Sequence, residues 1–125
     1  MPRQALQPEG LAVPKPPYSP VVVSGDTAYT AGQIGNDPEG NLVEGGIAEQ
    51  ARRTLENVRT CLDAAGCTLD DVVKVNAYLA DLGDFPAYNE VYVEFFSKPY
   101  PARTSVQAGL PPGVLIEIEA VARRS

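Results

Sequence analysis

Two short runs of this chain carry residue types that could do chemistry together. The first, Tyr100 to Val106, holds a single arginine, Arg103, and the second, Val114 to Ala120, begins eleven residues after it and holds Glu117 and Glu119. The second run alternates with period two, so Val114, Ile116, Ile118 and Ala120 share one apolar face, and Leu115, Glu117, Glu119 and Val121 share the other. The same alternation groups Arg103, Ser105 and Gln107 opposite Thr104, Val106 and Ala108. If the two strands pair, a guanidinium and a carboxylate flank one small polar pocket. The arginine then offers a planar fork to a small anion, and the glutamate offers acid-base chemistry on a water molecule.

Composition removes several other chemistries. The chain is acidic, with sixteen acidic and ten basic residues and a net charge of −6. Its basic residues are scattered, which argues against a nucleic-acid surface, because phosphate binding depends on clustered Lys and Arg. The absence of histidine excludes Ser-His-Asp and Cys-His nucleophile systems and the commonest zinc sites. Cys61 and Cys67 match no metal or redox spacing and are expected to stay reduced. The first twenty residues contain six of the twelve prolines and no apolar stretch resembling a signal peptide or membrane span. The expectation is one domain over residues 1–125, with residues 1–17 as an extended proline-rich arm, in the cytoplasm.

The elements that must position Arg103 and Glu117 read as mixed strands and helices. Residues 20 to 24 and 27 to 34 form a predicted hairpin closed by Gly25-Asp26, a pair suited to a tight primed turn, and Gly35 to Gly46 reads as a loop. From Ala48 the apolar residues Ala51, Leu55, Val58, Leu62 and Ala65 step by three and four, predicting a helix that Gly66 ends. Val72 to Leu79 reads as a strand. Asp84 is placed to cap a second helix, with Pro86 in its first turn and Phe85, Tyr88, Tyr92, Phe95 and Phe96 on one face. Asn89 falls inside that stripe, either as an amide bonded to a neighbouring loop or as a polar group of a site. Two helices of about 18 and 13 residues can cover only one face of a sheet of five to six strands. Val121, Leu115 and Tyr29 are left on the other face, so a partner subunit is expected there, near Glu117.

Four segments in register, Tyr29 to Ile34, Gln50 to Val58, Asp81 to Phe85, and Tyr100 to Val106 with Ile116 to Ala122, resemble the RidA (YjgF) family of enamine/imine deaminases, and the resemblance runs from about Tyr18 to Arg123. It implies a chorismate-mutase-like α+β domain assembled as a homotrimer, its sheets forming an inner barrel, its helices outside and its pockets between subunits. It also implies hydrolysis of reactive 2-imino acids such as 2-iminobutanoate and 2-iminopropanoate to 2-oxo acids and ammonia, without a cofactor or metal. On this resemblance Arg103 clamps the substrate carboxylate and Glu117 positions the attacking water. Ser105 and Gly32 contact substrate through their backbone, Tyr18 packs over the pocket, and Asn89 stands near its wall.

Three departures bear on the pocket's shape. Ala31 replaces a frequent serine, Ser105 replaces a frequent cysteine, and the link from Gln107 to Leu110 is one residue short of the best-known members. Read from its residues alone, Glu119 is a structural acid with Arg103, Arg123 or Lys74 as partner. Two other functions use the same features: a non-catalytic, carboxylate-binding regulatory trimer needs the arginine but not the glutamate, and an endoribonuclease or translation inhibitor is opposed by the acidic charge and the missing histidine.

Overall fold

The protein is described by a computed structural model covering residues 2–125. Its strands are β1 (Gln4–Leu6), β2 (Val21–Ser24), β3 (Thr27–Thr30), β4 (Val72–Leu79), β5 (Ala102–Gln107) and β6 (Ile116–Arg123), and its helices are α1 (Ile47–Ala64) and α2 (Phe85–Phe95). They form one six-stranded sheet in the order β1-β2-β3-β6-β4-β5. Only β4 and β5 run parallel, because α2 lies in the connection between them and returns the chain in the same direction. Both helices cover one face, as the helix lengths predict, and among the described residues no helix is long and apolar enough to cross a membrane.

Each element follows from local chemistry. In the β2–β3 hairpin Gly25 alone has positive φ, at 59°, which is the II′ form of a primed turn, and Ser24 pairs with Thr27. Helix α1 buries Ala51, Leu55, Val58 and Leu62 completely. Gly66, at φ 78°, ends it: the Gly66 N–H donates to Asp63 O (3.1 Å) and the Cys67 N–H to Leu62 O (2.9 Å), the paired bonds of a Schellman motif. The last turn of α1 has no basic residue of its own. Arg124, just past β6, supplies that charge by donating from Nε to Ala65 O at 2.9 Å.

Several expectations need correction. Strand β3 stops at Thr30, and of the remaining residues predicted for it, 31 to 34, Gln33 alone pairs, in an isolated bridge with Ile118. The arm contributes β1, paired antiparallel to β2. Helix α2 spans 11 residues, and Phe96 lies just after it as a buried anchor. Asp84 stands at its N-cap position but makes no side-chain cap bond; Asp81 is the working cap, accepting from Gly83 N at 2.8 Å to open the short 3₁₀ turn that leads into α2.

The largest correction concerns β5 and β6, which do not pair. Strand β4 lies between them, its backbone pairing along one edge with β5 and along the other with β6. Arg103 sits beside Val75, which sits beside Ala120, so Arg103 is on the helix-covered face. Glu117 sits beside Tyr78, which sits beside Val106, and all three are on the uncovered face. Tyr29 and Val121 pair on that same face, as expected, whereas Leu115 precedes the strand. The uncovered face therefore presents a mixed surface in which Tyr29 is 47% and Val106 43% exposed.

Candidate functional site

Arg103 is built into a bed of aromatic rings. Its guanidinium carbon lies 4.7 Å from the ring centroid of Tyr92, 5.1 Å from Tyr88 and 5.4 Å from Phe85. These are the residues whose spacing along α2 marks its apolar stripe, so one stripe both anchors the helix and receives the cation, each such contact being worth about 0.5–2 kcal/mol. Nη1 donates to Asn89 Oδ1 at 2.9 Å, so the Asn89 amide bonds the arginine and not a neighbouring loop. Among the described residues the ion pairs are Arg52–Glu94 and Arg53–Glu56, and Arg103 has no acidic partner. A guanidinium seated on rings, with one neutral acceptor and N–H groups to spare, is suited to an anion from outside the chain.

A cavity of about 300 Å³ opens beside it, lined by Asn89, Tyr92, Val93, Tyr100, Pro101 and Arg103. Ser105 shares the Arg103 face, and its Oγ sits beside the Tyr88 hydroxyl without completing a hydrogen bond to it. Burial pushes up the Tyr88 phenol and raises Tyr92 to about 12. Both tyrosines therefore stay neutral next to the guanidinium and do not cancel its charge.

Glu117 belongs to a second cluster, on the opposite face of the sheet. Its carboxylate rests against Gly32, where a Cβ would overlap Oε2 and lie 2.9 Å from Cδ. The strand and the loop are locked at this point: the Gln33 N–H donates to Ile118 O (2.8 Å) and the Ile118 N–H to Gln33 O (2.9 Å). Ala31 precedes Gly32 and is tied back through its N–H to Pro20 O at 2.8 Å. Tyr18, 52% exposed, lines the same cavity of about 390 Å³ with Gly32, Asn57, Pro111, Glu117 and the arm from Leu11 to Pro16. The Glu117 carboxyl is held above the usual carboxylate range, first by burial and then by the charge of Glu119.

Two residues that pattern reading passed over hold this cluster in place. Asn57 Nδ2 donates to Ile34 O and Asn36 O, both at 2.9 Å, which fixes the loop after Gly32. The Gln50 Oε1 accepts from Leu115 N and its Nε2 donates to Gly113 O, again at 2.9 Å, fixing the approach to β6. Both amides are buried on α1. The available signal was two amides seven residues apart, two turns of helix, on the buried face of α1.

Glu119 does not pair with Arg103, Arg123 or Lys74. It accepts from Asn76 Nδ2 at 3.2 Å and from the Tyr78 hydroxyl at 3.1 Å, while Lys74 Nζ donates to Thr104 Oγ1 at 2.9 Å. The ladder register explains this, since Asn76 is the cross-strand neighbour of Glu119. Among the described residues no group of three or more His, Cys, Asp or Glu is arranged to hold a metal ion.

The structure thus brings Arg103, Asn89 and Ser105 together, and separately Tyr18, Ala31, Gly32 and Glu117. The single pocket expected from pairing β5 with β6 does not exist within one chain. The two clusters are chemically complementary halves, an anion receiver and a desolvated carboxylate.

A domain with this sheet order, two helices on one face and these two clusters belongs to the RidA (YjgF) family, and the family described as Endoribonuclease L-PSP matches residues 10–124. The chain is 50% identical over 108 residues to the human 2-iminobutanoate/2-iminopropanoate deaminase, spanning 85% of this chain and 79% of that protein. It is also 50% identical over 113 residues to a RutC family protein of Pyrococcus horikoshii, spanning 87% and 90%. Among solved structures, RidA from an Antarctic Psychrobacter superposes with a TM-score of 0.91 at 43% identity, over 96% of this chain and 98% of that one. E. coli TdcF with bound serine superposes with a TM-score of 0.90 at 37% identity, over 98% and 99%.

Proposed function

We propose that this protein hydrolyses 2-imino acids, with 2-iminopropanoate and 2-iminobutanoate as substrates, to 2-oxo acids and ammonia, at sites formed where the Arg103 cluster of one copy meets the Glu117 cluster of another in a cytoplasmic homotrimer. The observation that carries this reading is the Arg103 guanidinium, stacked on three rings and lacking an acid partner, which is matched to a substrate carboxylate. The human relative's name and the serine bound by the E. coli relative support it.

In this reaction Arg103 grips the carboxylate with two N–H groups, and Asn89 fixes the plane of the guanidinium. The imine carbon is already electrophilic, so the chemistry calls for no cofactor. Glu117, desolvated and set against Gly32, takes a proton from water as the oxygen attacks that carbon. It passes that proton to the imine nitrogen, giving a neutral carbinolamine, and then carries the hydroxyl proton of this adduct to the same nitrogen as the C–N bond breaks, so that the C=O forms and ammonia leaves. Ser105 and Gly32, with Ala31 before it in the chain, line the substrate through their backbone, and Tyr18 closes over the pocket.

The deciding experiment generates 2-iminopropanoate and 2-iminobutanoate in place with an amino-acid oxidase and follows their disappearance. Consumption well above the buffer rate is expected. If neither imine is consumed faster than in buffer, the reading fails, and a carboxylate-binding regulatory assembly takes its place.

Gly32→Ala tests the placement of the carboxylate. The backbone at Gly32 has no positive φ, so alanine fits the chain, but its methyl displaces Glu117. A misplacement of about 1 Å at a reacting group lowers rate on the order of 10²-fold. That loss is expected in kcat/KM with little change in Tm; full activity would place the working carboxylate elsewhere.

Val121→Asp tests the assembly. Val121 lies on the uncovered face beside Tyr29, and an unpaired charge desolvated there costs several kcal/mol. Sedimentation of the wild type is expected to give a trimer at micromolar concentration, and of the variant a dissociated, inactive chain. A trimeric and active Val121→Asp protein would show that this face is not the interface.

A further inference from the structure

The open face of β6 presents two carboxylates, and the proposed reaction uses only one. Glu117 and Glu119 are two residues apart on the same strand, so they project from the same face roughly 7 Å apart. Glu119 is held by Asn76 Nδ2 (3.2 Å) and the Tyr78 hydroxyl (3.1 Å). Both donors are neutral. Donors without charge leave the field of the Glu119 carboxylate uncancelled. Burial pushes the Tyr78 phenol up, followed by the charge of Glu119, so this donor keeps its proton.

Within one chain the other groups near Glu117 do not cancel that field, and in the proposed assembly the Arg103 of another copy is engaged by the substrate carboxylate. Tyr78 faces it from β4, and Lys74, farther along the same strand, is engaged with Thr104 of β5. Tyr18 and Lys15 of the arm and Asp37 of the loop line the Glu117 cavity, and the arm and loop charges oppose one another. Glu119 is the charged group that shares both strand and face with Glu117.

We propose that Glu119 is a positioning residue for the reaction: held by Asn76 and Tyr78 on the same face as Glu117, it keeps a second carboxylate beside the acid-base group and tunes its exchange of protons with water and nitrogen. A group that must take a proton from water and return it to nitrogen works best when its affinity for that proton lies near the working pH. A neighbouring fixed anion moves a carboxylate in that direction. The proposal rests on the reading of Glu117 given above.

The test uses Glu119→Gln in the full-length assembled protein, with two measurements. One is the titration of the Glu117 carboxyl, followed by NMR of carboxyl-labelled glutamate. The other is the pH profile of kcat/KM for 2-iminopropanoate. With the like charge removed, Glu117 is expected to titrate at lower pH. The acid limb then follows, raising activity there, relative to the plateau, by roughly threefold. A Glu117 titration unmoved by Glu119→Gln overturns the proposal. If the titration moves while the kinetic limb stays, the coupling stands and Glu117 is not the group that limits the reaction. Should Glu119→Gln fail to assemble, Asn76→Lys pairs Glu119 with a cation and is expected to move the Glu117 titration the same way; no movement there also overturns the proposal.

Discussion

Arg103→Ala is expected to lower kcat/KM for 2-imino acids by roughly 30- to 5,000-fold while leaving the fold intact. Losing the partner of a buried carboxylate costs about 2–5 kcal/mol, which is that range in rate. Two features keep the fold out of the effect. Arg103 pairs with no acid of its own chain, so no carboxylate is left stranded. Tyr92 also remains stacked on Phe96, with ring centroids 4.6 Å apart. Arg103→Lys is the sharper comparison, since it keeps the charge but loses the planar fork, and it should recover little. Near-normal kcat/KM in the alanine variant would disprove the assignment of Arg103.

Glu117→Gln should bind a 2-oxo acid with nearly unchanged affinity and lose turnover by roughly 10²–10⁴-fold, the span usual for general acid-base groups. It should also be more stable than the wild type at neutral pH. Because folding raises the proton affinity of this carboxyl, its contribution to stability is complete below the unfolded value, about 4.3. That contribution is lost as pH rises through the folded value. Removing the ionisable group removes the loss, so the Tm advantage of the variant should grow as pH rises from about 4 toward neutral and vanish near pH 4. Unchanged turnover would make Glu117 a structural residue, and an advantage that persisted at pH 4 would separate its stability effect from its charge.

The elements of this fold were legible where a single period governs them. The valine-rich run Val72 to Leu79 gave β4 over its full length, the 3.6-residue stripe gave α1 to within one residue of its start, and Gly66 marked its end. Period two also sorted Arg103 from Thr104 and Glu117 from Ile118 correctly within each strand. What alternation cannot report is which strands are neighbours or which face of the sheet a strand's set of side chains meets. The pairing of β4 with both β5 and β6 depends on a parallel crossover 22 residues long, from Ala80 to Pro101, and on helices deciding which face is dry. That is why Arg103 and Glu117 were placed in one pocket when they lie on opposite faces. Asn57 and Gln50 escaped for a related reason: their bonds reach carbonyls 21 to 63 residues away, and local spacing carries no trace of such partners.

The placement of Arg103 and Glu117 on opposite faces of the sheet has a genetic consequence in the proposed assembly. Every site would take its arginine from one copy and its glutamate from another, so a chain damaged in one half still lends a sound half to its neighbour. Two alleles, one lacking Arg103 and one lacking Glu117, each inactive alone, would together rebuild about one site in four when chains mix at random around the ring. Either allele beside an intact one would leave about half the sites, no worse than ordinary gene dosage, so such lesions would be recessive. A lesion on the uncovered face would behave differently, because one faulty chain spoils the ring for its intact neighbours.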